Sequence, residues 1–151
     1  MCSDQPSHEQ RQLREALDLL PLVACGRAAV SLNALPYVLP ARHLVQGRHL
    51  LLRVTYGLAD HRSLDGTVLS YEANTYGGPP PDHRGHFSAQ LVGTARVYHP
   101  TVEEQRHLGP WLRYRRDGND TPVHLRVTPH LATVRRPRGT VPAPRRPPHG
   151  E

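Results

Sequence analysis

The stretch Cys25–Gly57, CGRAAVSLNALPYVLPARHLVQGRHLLLRVTYG, decides the fold, and it reads as three strands in succession. Ala28 to Leu32 is short and apolar, and Asn33-Ala34 marks a tight turn. Tyr37, Leu39, Ala41 and His43 then alternate with Val38, Pro40, Arg42 and Leu44. Such alternation sends one set of side chains inward and the other outward. Gln46-Gly47-Arg48 makes a second turn, and His49 to Val54 is an apolar run that carries Arg53. Turns of this kind between β-rich runs signal a meander, with the glycine supplying positive φ. Pro36 and Pro40 cannot donate to a ladder, so their strand is expected at an edge, bent or bulged there.

Outward from this core, Ser7 and Gln10 form a capping-box pattern for a helix, with Leu13, Leu17 and Leu20 on one face and Pro21 at its end. Downstream, Leu58 to Gly66 reads as a short helix or loop, Thr67 to Asn74 as a strand and Thr75 to Gly85 as a loop. His86 to Tyr98 alternates as a long strand in which Gly93 suggests a bulge or barrel bend. Thr101 caps a second helix with Glu103 and Glu104 in its first turn, ending near Gly109-Pro110. Asp117 to Asp120 is a turn, and Pro122 to Val134 alternates as the last strand. Three parts follow: a disordered 1–6, a folded domain over 7–135 and a disordered Arg/Pro-rich tail over 136–151. Six strands and two helices make a mainly β domain with peripheral α, which periodicity alone allows to be a barrel or a sandwich.

A chain of 151 residues is one domain, large enough to bury a core without disulfide or metal support. No apolar run approaches the ~20 residues that span a bilayer, and the N-terminus lacks a signal-peptide core. The two cysteines, Cys2 and Cys25, give no disulfide framework, so the cytoplasm is the expected compartment. The net charge of +6 is mostly the tail's: residues 135–151 hold five arginines against Glu151. All 19 basic residues are arginine, so no lysine is available for phosphate binding or Schiff-base chemistry.

The order and spacing of these segments resemble the flavin-binding split-barrel proteins, the pyridoxamine 5′-phosphate oxidase-like superfamily. The resemblance rests on Gly26-Arg27 before the first strand, PYVLP over residues 36–40, the third strand carrying Arg53, and Ser70-Tyr71-Glu72-Ala73-Asn74, and it extends to about Val134. It implies a six-stranded antiparallel split β-barrel that pairs as a homodimer and binds FMN, with a deazaflavin the lesser choice, in a groove between barrels. In such a protein the flavin does the redox work on a small organic substrate, while the polypeptide supplies phosphate donors and a surface for the ring. The family's Arg-Thr and downstream Lys fall on Arg53, Val54 and Ala59 here. A slip of one residue makes Thr55 the hydroxyl donor, with His61 and Arg62 supplying charge. Phe87 and Ser88 take the ring-side positions, and Arg42 faces the groove. The substrate-phosphate residues of the true oxidases have no clear match, so pyridoxamine phosphate is not the expected substrate. The apolar Val54 and Ala59 motivate an alternative, a clamp-deficient barrel acting as a non-catalytic binding or regulatory dimer.

Each of these residues has a simpler reading: Arg53 and Arg42 as surface cations, Phe87 as a core or interface anchor. Eleven histidines invite a metal site through His43, His49 and His61, or His83 and His86. No Cys pair, helical H-x-x-x-H or suitably spaced carboxylate supports one, so no metal is expected. Cys25 reads as a small buried hydrophobe. The Arg/Pro tail can bind nucleic acid by charge alone, but it has no aromatic for stacking, and a solvated tail is the simpler account.

Overall fold

Two tight hairpins start the sheet. Strand β1 (Cys25–Leu32) turns at Asn33-Ala34 into β2 (Leu35–Gln46), and β2 turns at Gly47-Arg48 into β3 (His49–Thr55). Leu32 pairs with Leu35 and Gln46 with His49, so both loops are two residues long. Asn33 and Ala34 both have positive φ, 50° and 63°. That is the primed geometry matching the right-handed twist of the flanking strands, and it suits asparagine better than alanine. Gly47 meets the same demand at φ 60° without a Cβ.

The computed structural model describes residues 5–55, 61–110 and 122–139. The expected turn over 117–120, Ala59, residues 1–4 of the N-terminus and the tail beyond 139 lie outside them. β4 (Val68–Asn74), β5 (Ser88–Val97) and β6 (Pro122–Arg135) complete an antiparallel barrel closed in the order β1-β2-β3-β6-β5-β4. The β1–β4 seam runs through Gly26, where an added Cβ would lie 2.3 Å from the Glu72 carbonyl and 2.6 Å from the Tyr71 hydroxyl. Gly93 sits at the register shift between β5 and β6, as the sequence suggests, with Thr128 O 2.4 Å from where its Cβ would be. Pro36 and Pro40 occupy the half of β2 that pairs with β1 only, since pairing with β3 begins at Ala41. A closed barrel can therefore carry both prolines without breaking a ladder.

Inward-facing Val30, Leu39, Leu50, Leu52, Val54, Leu69, Leu91, Leu125 and Val127 fill the core, each 8% exposed or less. Helix α1 (His8–Leu19) buries Ala16, Leu17 and Leu19 against β5 and β6, and Gln12 Oε1 accepts from Val134 N at 2.9 Å. Its capping box is formed, with Ser7 Oγ accepting from Gln10 N at 3.2 Å and Gln10 Oε1 from Ser7 N at 2.8 Å. A 3-10 turn over Leu20–Leu22 then leads into β1. One expectation fails here: Cys25 is exposed. β1 starts three residues before its apolar run, and Cys25 takes an outward slot beside the inward-facing Gly26. Among the described residues no helix is long and apolar enough to cross a membrane.

Candidate functional site

On the outer face of the barrel one row of cross-strand partners crosses four strands. Cys25 opposes Arg42, Arg42 opposes Arg53, and Arg53 opposes His124. Helix α2 (Val102–Leu108) lies over this face. Thr101 and Glu104 close its capping box, and Glu104 also accepts from the Tyr98 hydroxyl at 2.9 Å and from Gln46 Nε2. The Thr101 N–H and the Gln46 amide hold the Glu104 carboxyl down at about 2. At the other end of α2, Gly109 has φ 73° and its Cβ would lie 2.9 Å from Arg42 Nη1. This tight C-terminus delivers two carbonyls to the arginines: Arg42 Nη1 donates to Leu108 O at 3.0 Å, and Arg53 Nη1 to Gly109 O.

Arg53 is only 6% exposed, yet among the described residues it has no carboxylate partner. Its Nε donates to His124 Nε2 at 3.1 Å, which requires that ring nitrogen to be unprotonated. Burial, with the charges of Arg53 and His99, lowers the His124 pKa to about 4. Burial and the neighbouring Arg42 also draw the Arg53 pKa below its usual value. Two cations side by side, one nearly buried, with no acid among the described residues to offset them, make an arrangement to which an anion is complementary.

The other expected site residues lie off this row of cross-strand partners. Val54 is fully buried in the core, so it offers no donor and its position is set by packing. The backbone of Thr55 pairs with Pro122 at the end of β3. His61 and the exposed Arg62 belong to a 3-10 turn (His61–Leu64) that packs on β1 and β5. Phe87 is fully buried and presents no ring face. Ser88 donates to Glu72 Oε1 at 3.2 Å and pairs with Arg135, whereas Arg53 pairs with His124. Eleven residues of β6 separate these positions, roughly 35 Å of extended strand. One barrel therefore brings Arg42 and Arg53 together and leaves Phe87 and Ser88 at the far end.

His124, Leu108 and Gly109 were not candidates from the sequence. Alternation over Pro122 to Val134 places His124 outward, but only the β3–β6 register sets it opposite Arg53. His43, a candidate metal ligand, is buried: its Nε2–H donates to Leu20 O at 2.7 Å and its Nδ1 accepts from the Tyr71 hydroxyl. Burial lowers the His43 pKa and raises that of Tyr71, so both are neutral at pH 7. His86 bonds Thr75 Oγ1 at 2.9 Å. Among the described residues no three His, Cys, Asp or Glu side chains gather as a metal site would need.

Residues 12–136 match the family described as Pyridoxamine 5′-phosphate oxidase. Among solved structures, the FAD binding protein from Mycobacterium smegmatis is 25% identical, with a TM-score of 0.58 over 83% of this chain and 96% of that one. The FAD and heme binding protein from the same organism is 15% identical, with a TM-score of 0.56 over 87% and 74%. An FAD-binding protein from Mesorhizobium loti is 16% identical, with a TM-score of 0.52 over 80% and 91%. The last two likenesses speak for the fold alone. Comparison with curated proteins finds no match.

Proposed function

The chain belongs to the pyridoxamine 5′-phosphate oxidase family, and on that premise we propose that it is a flavin-binding split-barrel protein, an oxidoreductase acting as a cytoplasmic homodimer on a small organic substrate. The observation that carries the reading is Arg53, a nearly buried guanidinium at the end of β3 with Arg42 beside it and no carboxylate partner among the described residues. A flavin phosphate supplies the missing negative charge, and Arg53 exchanges a neutral carbonyl for a dianion. His124, held neutral, accepts from Arg53 Nε and keeps the guanidinium plane in place. Thr55, His61 and Arg62 complete the phosphate donors in this reading. When bound, the flavin supplies the electron and hydride chemistry.

The strand register supports the homodimer of this reading. Arg53 and Ser88 mark opposite ends of β6 in one barrel, so with Ser88 at the ring side, as the resemblance has it, the flavin that meets Arg53 takes its Ser88 from a second copy. FMN is the flavin of the resemblance, while FAD appears in the names of the solved relatives, so both belong in the test.

A second reading is favoured by a specific observation. Val54 is core, and Arg53 already uses Nη1 and Nε on Gly109 O and His124. A barrel with its arginine thus satisfied can persist as a binding or regulatory dimer without flavin. The visible spectrum of the purified protein and its melting temperature with FMN or FAD separate the two. Flavin at a hundred times its Kd stabilises by about 2.7 kcal/mol, roughly 5–11 °C for a domain of this size. A colourless protein whose melting point neither flavin moves supports the regulatory barrel.

A further inference from the structure

Between α2, β2 and the 3-10 turn Leu20–Leu22 lies a cavity of about 250 Å³, and Arg42 lines it. We propose that this cavity is a binding pocket for a small carboxylate with a short apolar body, that Arg42 binds the carboxylate, and that the substrate of the proposed flavin chemistry sits there. The carboxylate pocket stands on its own geometry; its role as the substrate seat rests on the flavin reading.

The polar inventory of the cavity selects the ligand. His43 lines it but spends Nε2–H on Leu20 O and Nδ1 on Tyr71, so it offers only ring carbon. His107 bonds the Glu103 carbonyl through Nδ1–H at 2.9 Å, which leaves Nε2 as an acceptor. Arg42 spends one donor on Leu108 O, and its remaining N–H groups have no partner among the described residues. Among the described residues no Asp or Glu lines the cavity, so the charge opposite Arg42 comes from the ligand. Val23, Val45 and Leu108 supply apolar wall. A volume below the ~300–1,000 Å³ of drug-sized sites suits a compact molecule, and a planar guanidinium matches a carboxylate in two parallel hydrogen bonds. The pocket lies beside Arg53, one strand away, so its ligand is next to the proposed flavin phosphate site while being held by a different cation.

Benzoate, its neutral counterpart benzamide and inorganic phosphate are the probes, each titrated into the full chain and followed by NMR at the amides of Val23, Ala24 and Val45. The proposal expects saturable shifts with benzoate, at least tenfold weaker binding of benzamide, and no response of these amides to phosphate. Arg42→Gln weakens benzoate tenfold or more, while Arg96→Gln, an exposed arginine on β5, leaves it unchanged. Ala24→Trp fills the cavity from an exposed wall position and blocks benzoate even if Arg42→Gln proves unstable. Equal binding of benzoate and benzamide, phosphate acting on the same amides, or full benzoate affinity in both variants overturns the pocket. Flavin binding is measured separately by fluorescence on the same samples. Benzoate bound by protein that takes no flavin keeps the pocket and removes its role as substrate seat; flavin bound without any benzoate response overturns the pocket and leaves the flavin reading standing.

Discussion

His124 makes the arginine row acid-sensitive, and the size of the effect can be worked out. In the unfolded chain this imidazole takes up a proton near 6.5, whereas in the barrel it does so only near 4, because burial and Arg53 oppose the charge. Since the unfolded state binds the extra proton first, stability is lost as pH falls from about 6.5 to about 4 and levels off below that. At ~1.4 kcal/mol per tenfold, the difference amounts to roughly 3 kcal/mol for a fully enclosed group. His124 is only half-buried, and screening by solvent reduces this to about 1–2 kcal/mol. For a domain of this length the melting temperature then falls by roughly 2–8 °C across that window. His124→Gln keeps an acceptor for Arg53 Nε and removes the titration. His43, whose pKa is lowered too, contributes in the same direction, so the test is the difference between wild type and variant. Glu104, held at about 2, loses its contribution only below about 4.5 and leaves the window largely clear. Urea unfolding at pH 7, 6, 5 and 4.5 should show wild type and variant diverging as the pH falls. Parallel lines for the two proteins would refute the neutral His124 and, with it, the assigned Arg53–His124 bond.

Ala34→Gly should stabilise the protein by about 0.5–1 kcal/mol in thermal unfolding, because it relieves a left-handed alanine in the first hairpin. Gly26→Ala should destabilise by about 1–3 kcal/mol, since its Cβ meets the Glu72 backbone and the Tyr71 ring, neither of which can swing away; an unchanged melting point would mean that the β1–β4 seam is looser than described. Tyr71→Phe strands the buried His43 Nδ1 and should lower stability by about 1–3 kcal/mol, and adding His43→Leu should change the coupling in a double-mutant cycle. Val54→Thr, which restores the family's hydroxyl, should cost about 1–3 kcal/mol of stability without tightening flavin binding, because the side chain points into the core.

Much of the architecture was legible because it is local. Ser7-x-x-Gln10, Asn33-Ala34, Gly47 and Thr101-x-x-Glu104 each announce a cap or turn within four residues, and all form as read. The alternation of Leu39, Ala41 and His43 fixed the inward face of β2. Even Cys25 could have been placed by parity, since Ala28 inward puts Gly26 inward and Cys25 outward. The site was harder because it depends on register between distant strands. Nothing near Arg53 in the chain says that His124 lies opposite, nor that the end of α2 delivers carbonyls at Leu108 and Gly109. Tyr71 and His43 are 28 residues apart, so a histidine that reads as a metal candidate proves to be a satisfied core group. The strand register also separates Phe87 and Ser88 from Arg53 within one barrel, which spacing along the chain could not reveal.

The affinity of FMN and FAD for wild type and Arg53→Gln, by quenching of flavin fluorescence with both proteins shown to be folded, tests the flavin reading most directly. Loss of a charge-assisted bond of about 1.5–3 kcal/mol weakens binding roughly 10- to 150-fold in the variant. Equal affinity in the two proteins, or no binding of either flavin by the wild type, would contradict it.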